Sequence, residues 1–381
     1  MAIGMERQEG CIVMKFYSKA WSLIVAPLVW LAVVFFTLSA QVQAEPYLAV
    51  KNNMKCATCH VNPLGGGLRT TFGNLYGHQL LPATTSDVTA ADAGKLAEWI
   101  GVGGNFRYNG EHIGDDAGTQ TSTFKVDSAQ LYMAVKPKGS ALTFYMDQQV
   151  APGAAINREA FILYNFSGNH YVKAGKLYLP FGLRLEDDSA LVRQATGFNF
   201  DSSDNGVELG LDFATATVNL FVSNGTGAVS NTDDRFLYGV KVEKLFQGFR
   251  LGSTVVHNDG INDQQSMLNF YGGLGWRDFT LLAEADYIIN SSIGDLKQKQ
   301  WVGLFEVNYQ WAKGLNLKLT SEYFDPDIDI SENQETKYSV IAEYTPVSNL
   351  QLRAGARVAD SIPQRPERNN EKIFIQAHLY F

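Results

Sequence analysis

The chain has 381 residues, a formal net charge of −8 and a mean hydropathy of −0.11. That acidic balance, with no basic patch, excludes a nucleic-acid footprint. After residue 44 no apolar run reaches the ~20 residues that a spanning helix needs, while 17 Tyr, 23 Phe and 35 Gly fit an exported, β-rich protein better than a helical one.

The first segment carries Lys15 and Lys19, an apolar run from Trp21 to Leu38, and Val42-Gln43-Ala44 ahead of Glu45-Pro46. A basic start, an apolar middle and a small-residue cleavage site make residues 1–44 a secretory signal peptide, with Met14 as the true start. The alternative is a membrane anchor, because the run approaches spanning length; the Val-Gln-Ala junction favours cleavage. Of the three cysteines, Cys11 falls before or within this segment, so the exported chain keeps Cys56 and Cys59. Export usually invites disulfides, but a pair three positions apart serves a cofactor better than a fold.

Residues 45–97 form a small, Gly-rich second part. Cys56-Ala57-Thr58-Cys59-His60 is the c-type haem attachment pattern. Its thiols can add to the two vinyl groups of one haem, and the adjacent imidazole of His60 becomes the proximal iron ligand. Zinc would need two further ligands, and a thioredoxin-like site needs a βαβ setting. One covalent haem c is therefore expected.

Met54 and His78 compete for the other axial position. Met54 stands two residues before Cys56, too near to cross to the opposite haem face. His78 lies beyond the Gly65-Gly66-Gly67 hinge and is the candidate distal ligand. Two imidazoles would set a lower potential than an imidazole with a thioether. Arg69 can pair with a haem propionate or simply be solvated. Fewer than sixty residues bury little apolar surface by themselves, so the porphyrin would supply the missing core. A short connecting helix is expected from Ala90 to Trp99. His112, His170, His257 and His378 are read as girdle, loop or lumen residues.

From residue 98 to 381 the pattern changes to period two. Trp301, Gly303, Phe305, Val307, Tyr309 and Trp311 alternate with Glu306, Asn308 and Gln310. Leu350, Leu352, Ala354, Ala356 and Val358 alternate with Gln351, Arg353 and Arg357. Apolar-out, polar-in alternation is strand patterning. About sixteen strands follow, with short connections near Pro137-Lys138-Gly139, Ser167-Gly168-Asn169, Phe213–Ala216, Gln247-Gly248, Arg277-Asp278, Lys313-Gly314 and Val347-Ser348-Asn349. Longer ones fall between, as at Gly114 to Ser122 and Gly182 to Asp204.

The expected fold is all-β: a transmembrane antiparallel β-barrel of about sixteen strands. An even count puts both barrel ends on the periplasmic side, so the haem segment hangs below the pore or folds into it. Phe381 closes an alternating last strand. The long loops are acidic (Glu186-Asp187-Asp188, Asp201, Asp325, Asp327, Asp329), which suits solvated outer loops or hard cations. Lumen charges are mixed, Arg353, Arg357, Lys318 and Lys241 against Glu306, Glu322 and Glu243, so strong ion selectivity is not expected. A barrel of this size with an empty lumen would enclose an aqueous channel.

The stretch Lys173-Ala174-Gly175-Lys176-Leu177-Tyr178-Leu179-Pro180-Phe181-Gly182-Leu183, with Gly206-Val207-Glu208-Leu209-Gly210, resembles the phosphate-selective porin family. With the monohaem motif in front of it, the chain resembles the fused outer-membrane cytochrome–porins of iron-oxidising bacteria. That resemblance implies a sixteen-stranded barrel in the outer membrane of a Gram-negative cell, lipid around it, and electron transfer through one haem. Electrons would pass between an extracellular metal ion or small redox donor, Fe(II) among them, and a periplasmic c-type cytochrome or other carrier. Oxidoreductase activity of the ferrous-oxidation type would accompany it, in a monomer or a trimer. The alternative is a solute-diffusion porin whose haem segment is a plug, a folding staple or a redox sensor. One haem cannot span a ~30 Å hydrocarbon core, so it must sit inside the lumen or donors must diffuse down to it.

Overall fold

The computed structural model describes residues 45–85, 94–198, 202–231, 233–260, 263–292 and 296–381; the signal peptide, Asp201 and residues 90–93 of the expected connecting helix lie outside these. Sixteen antiparallel strands run from β2 (Ile100–Asp115) to β17 (Asn370–Tyr380), each paired with its neighbours in sequence. β17 pairs with β2, Tyr380 opposite Asn105 and Asn370 opposite Asp115, which closes the ring. Closure leaves no unpaired edge, the condition for a sheet in hydrocarbon.

The alternation read from the sequence is the inside–outside alternation of the wall. Trp301 and Phe305 are exposed outward while Glu306 and Asn308 are buried inward. In β17, Ile373 and Ile375 are 64 % and 60 % exposed and Phe374 and Gln376 between and after them are buried. Exposed aliphatic and aromatic side chains on the outer face make the surface a lipid-facing one. Among the described residues no helix is long and apolar enough to cross a membrane; the crossing is made by strands.

All seven short connections lie at one end of the barrel, where the sequence places them. Arg277 and Asn349 take φ of 53° and 74° there, values tight hairpins require. At the opposite end, the connection expected from Gly114 to Ser122 shrinks, because one strand runs to Asp115 and the next begins at Gln120. The helix expected up to Trp99 is absent from its described part. Lys95–Ala97 is instead a short strand, β1, with Lys95 opposite Gly101. Pairing with the start of β2 gives its backbone partners that a helix of under a dozen residues cannot hold in water.

The lumen is not empty, and of the two placements expected for the segment the structure has the one inside the barrel. Residues 45–85 fold up into it as α1 (Pro46–Lys51), α2 (Cys56–Cys59), α3 (Thr71–Leu75) and one π turn, Tyr76–Leu80. The connection after Tyr178 also turns inward and carries α4 (Leu191–Thr196). Tyr47, Val50 and Leu81 of the first insert, and Phe181, Leu183 and Val192 of the second, form one buried apolar cluster with wall residues such as Val256, Met267 and Leu282. The core that so small a segment cannot build alone is completed by the barrel wall, each such side chain contributing about 1.5–3 kcal/mol.

The wall's own polar contacts are equally buried. Lys173 Nζ stands 2.6 Å from Glu208 Oε2 with both side chains fully buried, and Glu208 also accepts from Tyr171 Oη and Asn219 Nδ2. Lys173→Met removes the cation and strands the carboxylate, at an expected cost of about 3–5 kcal/mol. The check is the temperature at which folded barrel disappears from a semi-native gel, which should fall for Lys173→Met and recover in Lys173→Met/Glu208→Gln.

Candidate functional site

Pro46 starts α1 where its missing N–H costs nothing. α2 is a single turn, His60 N donating to Cys56 O at 3.0 Å, and presents both cysteines before the chain reverses. The reversal is tied by Val61 N to Leu68 O and Thr70 N to Cys59 O, each 2.9 Å. At its tip Gly65, Gly66 and Gly67 have φ of +91°, +76° and +62°, a region that L side chains rarely enter. The hinge is therefore a fixed turn. Asn62 Nδ2 donates to both carboxylate oxygens of Glu159 on the wall, at 3.0 and 2.9 Å, and Leu68 N donates to Tyr145 Oη at 3.2 Å.

A Cβ at Gly67 would lie 1.9 Å from the Tyr145 hydroxyl oxygen. Gly67→Ala should therefore lift the turn off the wall and expose it to limited proteolysis near Arg69. Adding Tyr145→Phe, which deletes that oxygen, should restore part of the protection; the positive φ still costs about 1–2 kcal/mol. No gain from the second change would show that the turn is not held at this contact.

Cys56, Cys59 and His60 line one cavity, with Leu48, Leu64 and Leu81 as apolar walls. The barrel and the inward connection add Arg184, Lys241 and Arg250 to its lining, and Arg69 comes from the segment itself. Neither cysteine is in a disulfide. His60 is 8 % exposed and its Nδ1 has no hydrogen-bond partner. Burial pushes its imidazole down to about 3, with the Arg69 and Arg184 cations acting in the same direction, so it is neutral at physiological pH, the form that binds metals. Two thiols on one turn, a neutral imidazole after them, apolar walls and guanidinium groups suited to carboxylates are a donor set that fits a covalently held haem.

His78 is placed differently. Its ring is buried, neither nitrogen has a hydrogen-bond partner, and it does not line this cavity. Its carbonyl accepts from Ser348 Oγ at 2.7 Å, which fixes the π turn to a short barrel turn. Met54, which the spacing set aside, does line the cavity. Arg69 lies over the Tyr380 ring, 4.4 Å from its centroid. The other histidines fall where they were read: His112 and His257 contact Ser122 and Ser266 on exposed strand ends, His170 accepts from Asp212 N at a turn, and His378 is buried inside the wall. Among the described residues no three His, Cys, Asp or Glu side chains are grouped to hold a metal ion.

Charge inside the lumen is organised by the inserts. Lys318 Nζ lies 3.1 Å from Glu45 and 3.2 Å from Glu343, and Arg353 lies 3.3 Å from Glu343. The mixed wall charges thus pair with one another and with the start of the inserted segment. Glu186 and Asp187, expected in a solvated outer loop, are inside as well, against Arg107 at 2.6 Å and against Arg357. Buried guanidinium groups need such partners.

Two of the larger cavities border the inserted segment. One, of about 630 Å³, opens at the end of the short turns and reaches Cys56 and His60. The other, of about 520 Å³, faces the opposite end and includes Gly66, Gly67, Arg107 and Asp187 in its lining.

No protein-family model matches this chain, and no curated protein matches it in sequence. Solved structures do match. A loop-deletion variant of the outer membrane protein OmpT of Vibrio cholerae is 13 % identical, with a TM-score of 0.59 over 74 % of this chain and 99 % of its own. An anion-selective porin from Comamonas acidovorans is 10 % identical, with a TM-score of 0.60 and the same coverage. The outer membrane channel DcaP of Acinetobacter baumannii is 12 % identical, with a TM-score of 0.52 over 74 % of this chain and 97 % of its own. The chain has a porin fold.

Proposed function

We propose that this is an outer-membrane barrel whose lumen holds one covalent haem c, and that it passes electrons between a small extracellular donor and a periplasmic carrier. The observation that carries the reading is that Cys56, Cys59 and His60, neighbours in sequence, all line one cavity within the barrel. Cys56 and Cys59 would attach the haem and His60 would bind its iron, and the group supplies one-electron redox chemistry. The chain's own residues do the rest. The inserts bury apolar side chains against the wall in the middle of the lumen, Arg69, Arg184 and Arg250 would offer cations to the carboxylates of the group, and the wall fixes the segment through Glu159 and Tyr145. The short-turn end would face the periplasm and the loop end the outside.

For the second axial position the spacing points to His78 and the cavity to Met54. His78→Ala and Met54→Ala decide between them: the variant whose absorption spectrum and midpoint potential change identifies the ligand, and thioether ligation carries the higher potential.

The likeness to porins favours a second reading, a solute-diffusion channel for which the segment is a plug. The cavities at both ends of the lumen are in keeping with it. Purified protein in liposomes, with a ferrous complex or another small reductant outside and an oxidised cytochrome c inside, tests the first reading. Reduction of the enclosed cytochrome that is lost in His60→Ala supports electron transfer. Haem that does not change oxidation state, or protein without haem, in liposomes that leak small sugars supports the channel.

A further inference from the structure

The net charge of the chain hides a separation between its two ends. At the end of the short turns, among the described residues, the anions are few and each has a cation beside it. Asp212 is paired with Lys55, Asp278 lies 3.8 Å from Lys51 and Glu98 lies 3.5 Å from Lys138. Lys95, Lys136 and Lys313 are exposed in addition and form no ion pair there. The opposite end carries the acidic connections, with Asp115, Asp116, Asp325, Asp327 and Asp329 among them.

This cationic end coincides with an opening. Lys95, Lys136 and the half-exposed Trp99 line the same 630 Å³ cavity as Cys56 and His60. Leu96, 73 % exposed beside them, adds an apolar contact point. Lysines ringing a mouth, an aromatic within the ring and a redox-competent motif behind it are what a transient electron-transfer surface needs: charge to steer and orient, and little apolar area to hold.

We infer that the short-turn face is the docking surface for an acidic soluble electron carrier. Its carboxylates face Lys95, Lys136 and Lys313, and its redox centre comes over the cavity that leads to Cys56 and His60. This rests on the electron-transfer reading. The exchange would balance as one electron: an iron bound by His60 would go from ferrous to ferric, the carrier's centre would be reduced by one, and a one-electron reductant outside would restore the ferrous state.

The test uses full-length, haem-loaded protein in detergent, reduced by dithionite freed of excess, and mixed with an acidic or a basic soluble monohaem cytochrome c of similar potential. The acidic carrier should oxidise it at least tenfold faster at low ionic strength. That advantage should fade between about 0.01 and 0.2 M salt, as the screening length drops from ~30 Å to under ~10 Å. Lys95→Glu/Lys136→Glu/Lys313→Glu should invert the preference and leave reduction by dithionite unchanged. Equal rates with both carriers, a rate insensitive to salt, or a preference unmoved by charge reversal would overturn the docking surface while leaving the haem reading intact. Protein that carries no haem overturns both.

Discussion

Cys56→Ser/Cys59→Ser is expected to yield a barrel that inserts and resists detergent like the parent but retains no colour after denaturation. The parent should keep a covalent, peroxidase-active band through a denaturing gel and acid–acetone extraction, because thioether bonds survive both. Nothing in ring closure depends on these residues: β17 and β2 pair through their own backbones, and the plug's wall contacts are made by Tyr47, Val50, Asn62, Leu68 and Leu81. His60→Ala separates attachment from ligation. It should keep the covalent band and lose the low-spin spectrum, since the imidazole and not the thiols sets the iron's field. A colourless parent would remove the haem from every part of the reading.

Deleting residues 45–85, with the export signal joined to residue 86, is expected to raise single-channel conductance by about an order of magnitude, since sixteen strands leave an aqueous channel once the lumen is cleared. The connection carrying α4 remains to narrow the opening. The deletion also uncovers Met267, Tyr271 and Leu282, which now pack against Val50 and its neighbours, and leaves Lys318 without Glu45. Loss of the buried Tyr47, Val50, Leu68 and Leu81, at about 1.5–3 kcal/mol each, should lower the unfolding temperature of the barrel visibly. Conductance equal to that of the parent would mean that the segment is not what fills the pore.

Most of the wall was legible because lipid and lumen impose opposite demands on successive residues. The exposed Ile373 and Ile375 against the buried Gln376 repeat along the backbone what the letters already alternate. The seven short turns were legible for the same reason, as breaks in that alternation, five of them carrying Gly, Asn or Pro. The inward connection was not, because its acidic run Glu186-Asp187-Asp188 looks solvated when read alone. A signal was present: Phe181, Leu183, Leu185, Leu191 and Val192 make the surrounding stretch too apolar for a loop in water. The Cys56–His60 motif was legible as chemistry. Its setting was not, since Glu159, Tyr145 and Arg184 come from far along the chain, and only the closed ring brings them to the segment. The Ala90–Trp99 helix failed in its described part because a local pattern competed with a waiting sheet partner at Gly101.

The inserts place one vestibule at each end of the lumen. On the electron-transfer reading, a reagent entering beside Gly66, Arg107 and Asp187 would give up its electron there and leave by the same mouth, so that an oxidised and poorly soluble product would be shed outside. On the channel reading, the two vestibules would be the halves of one path that the inserted segment narrows.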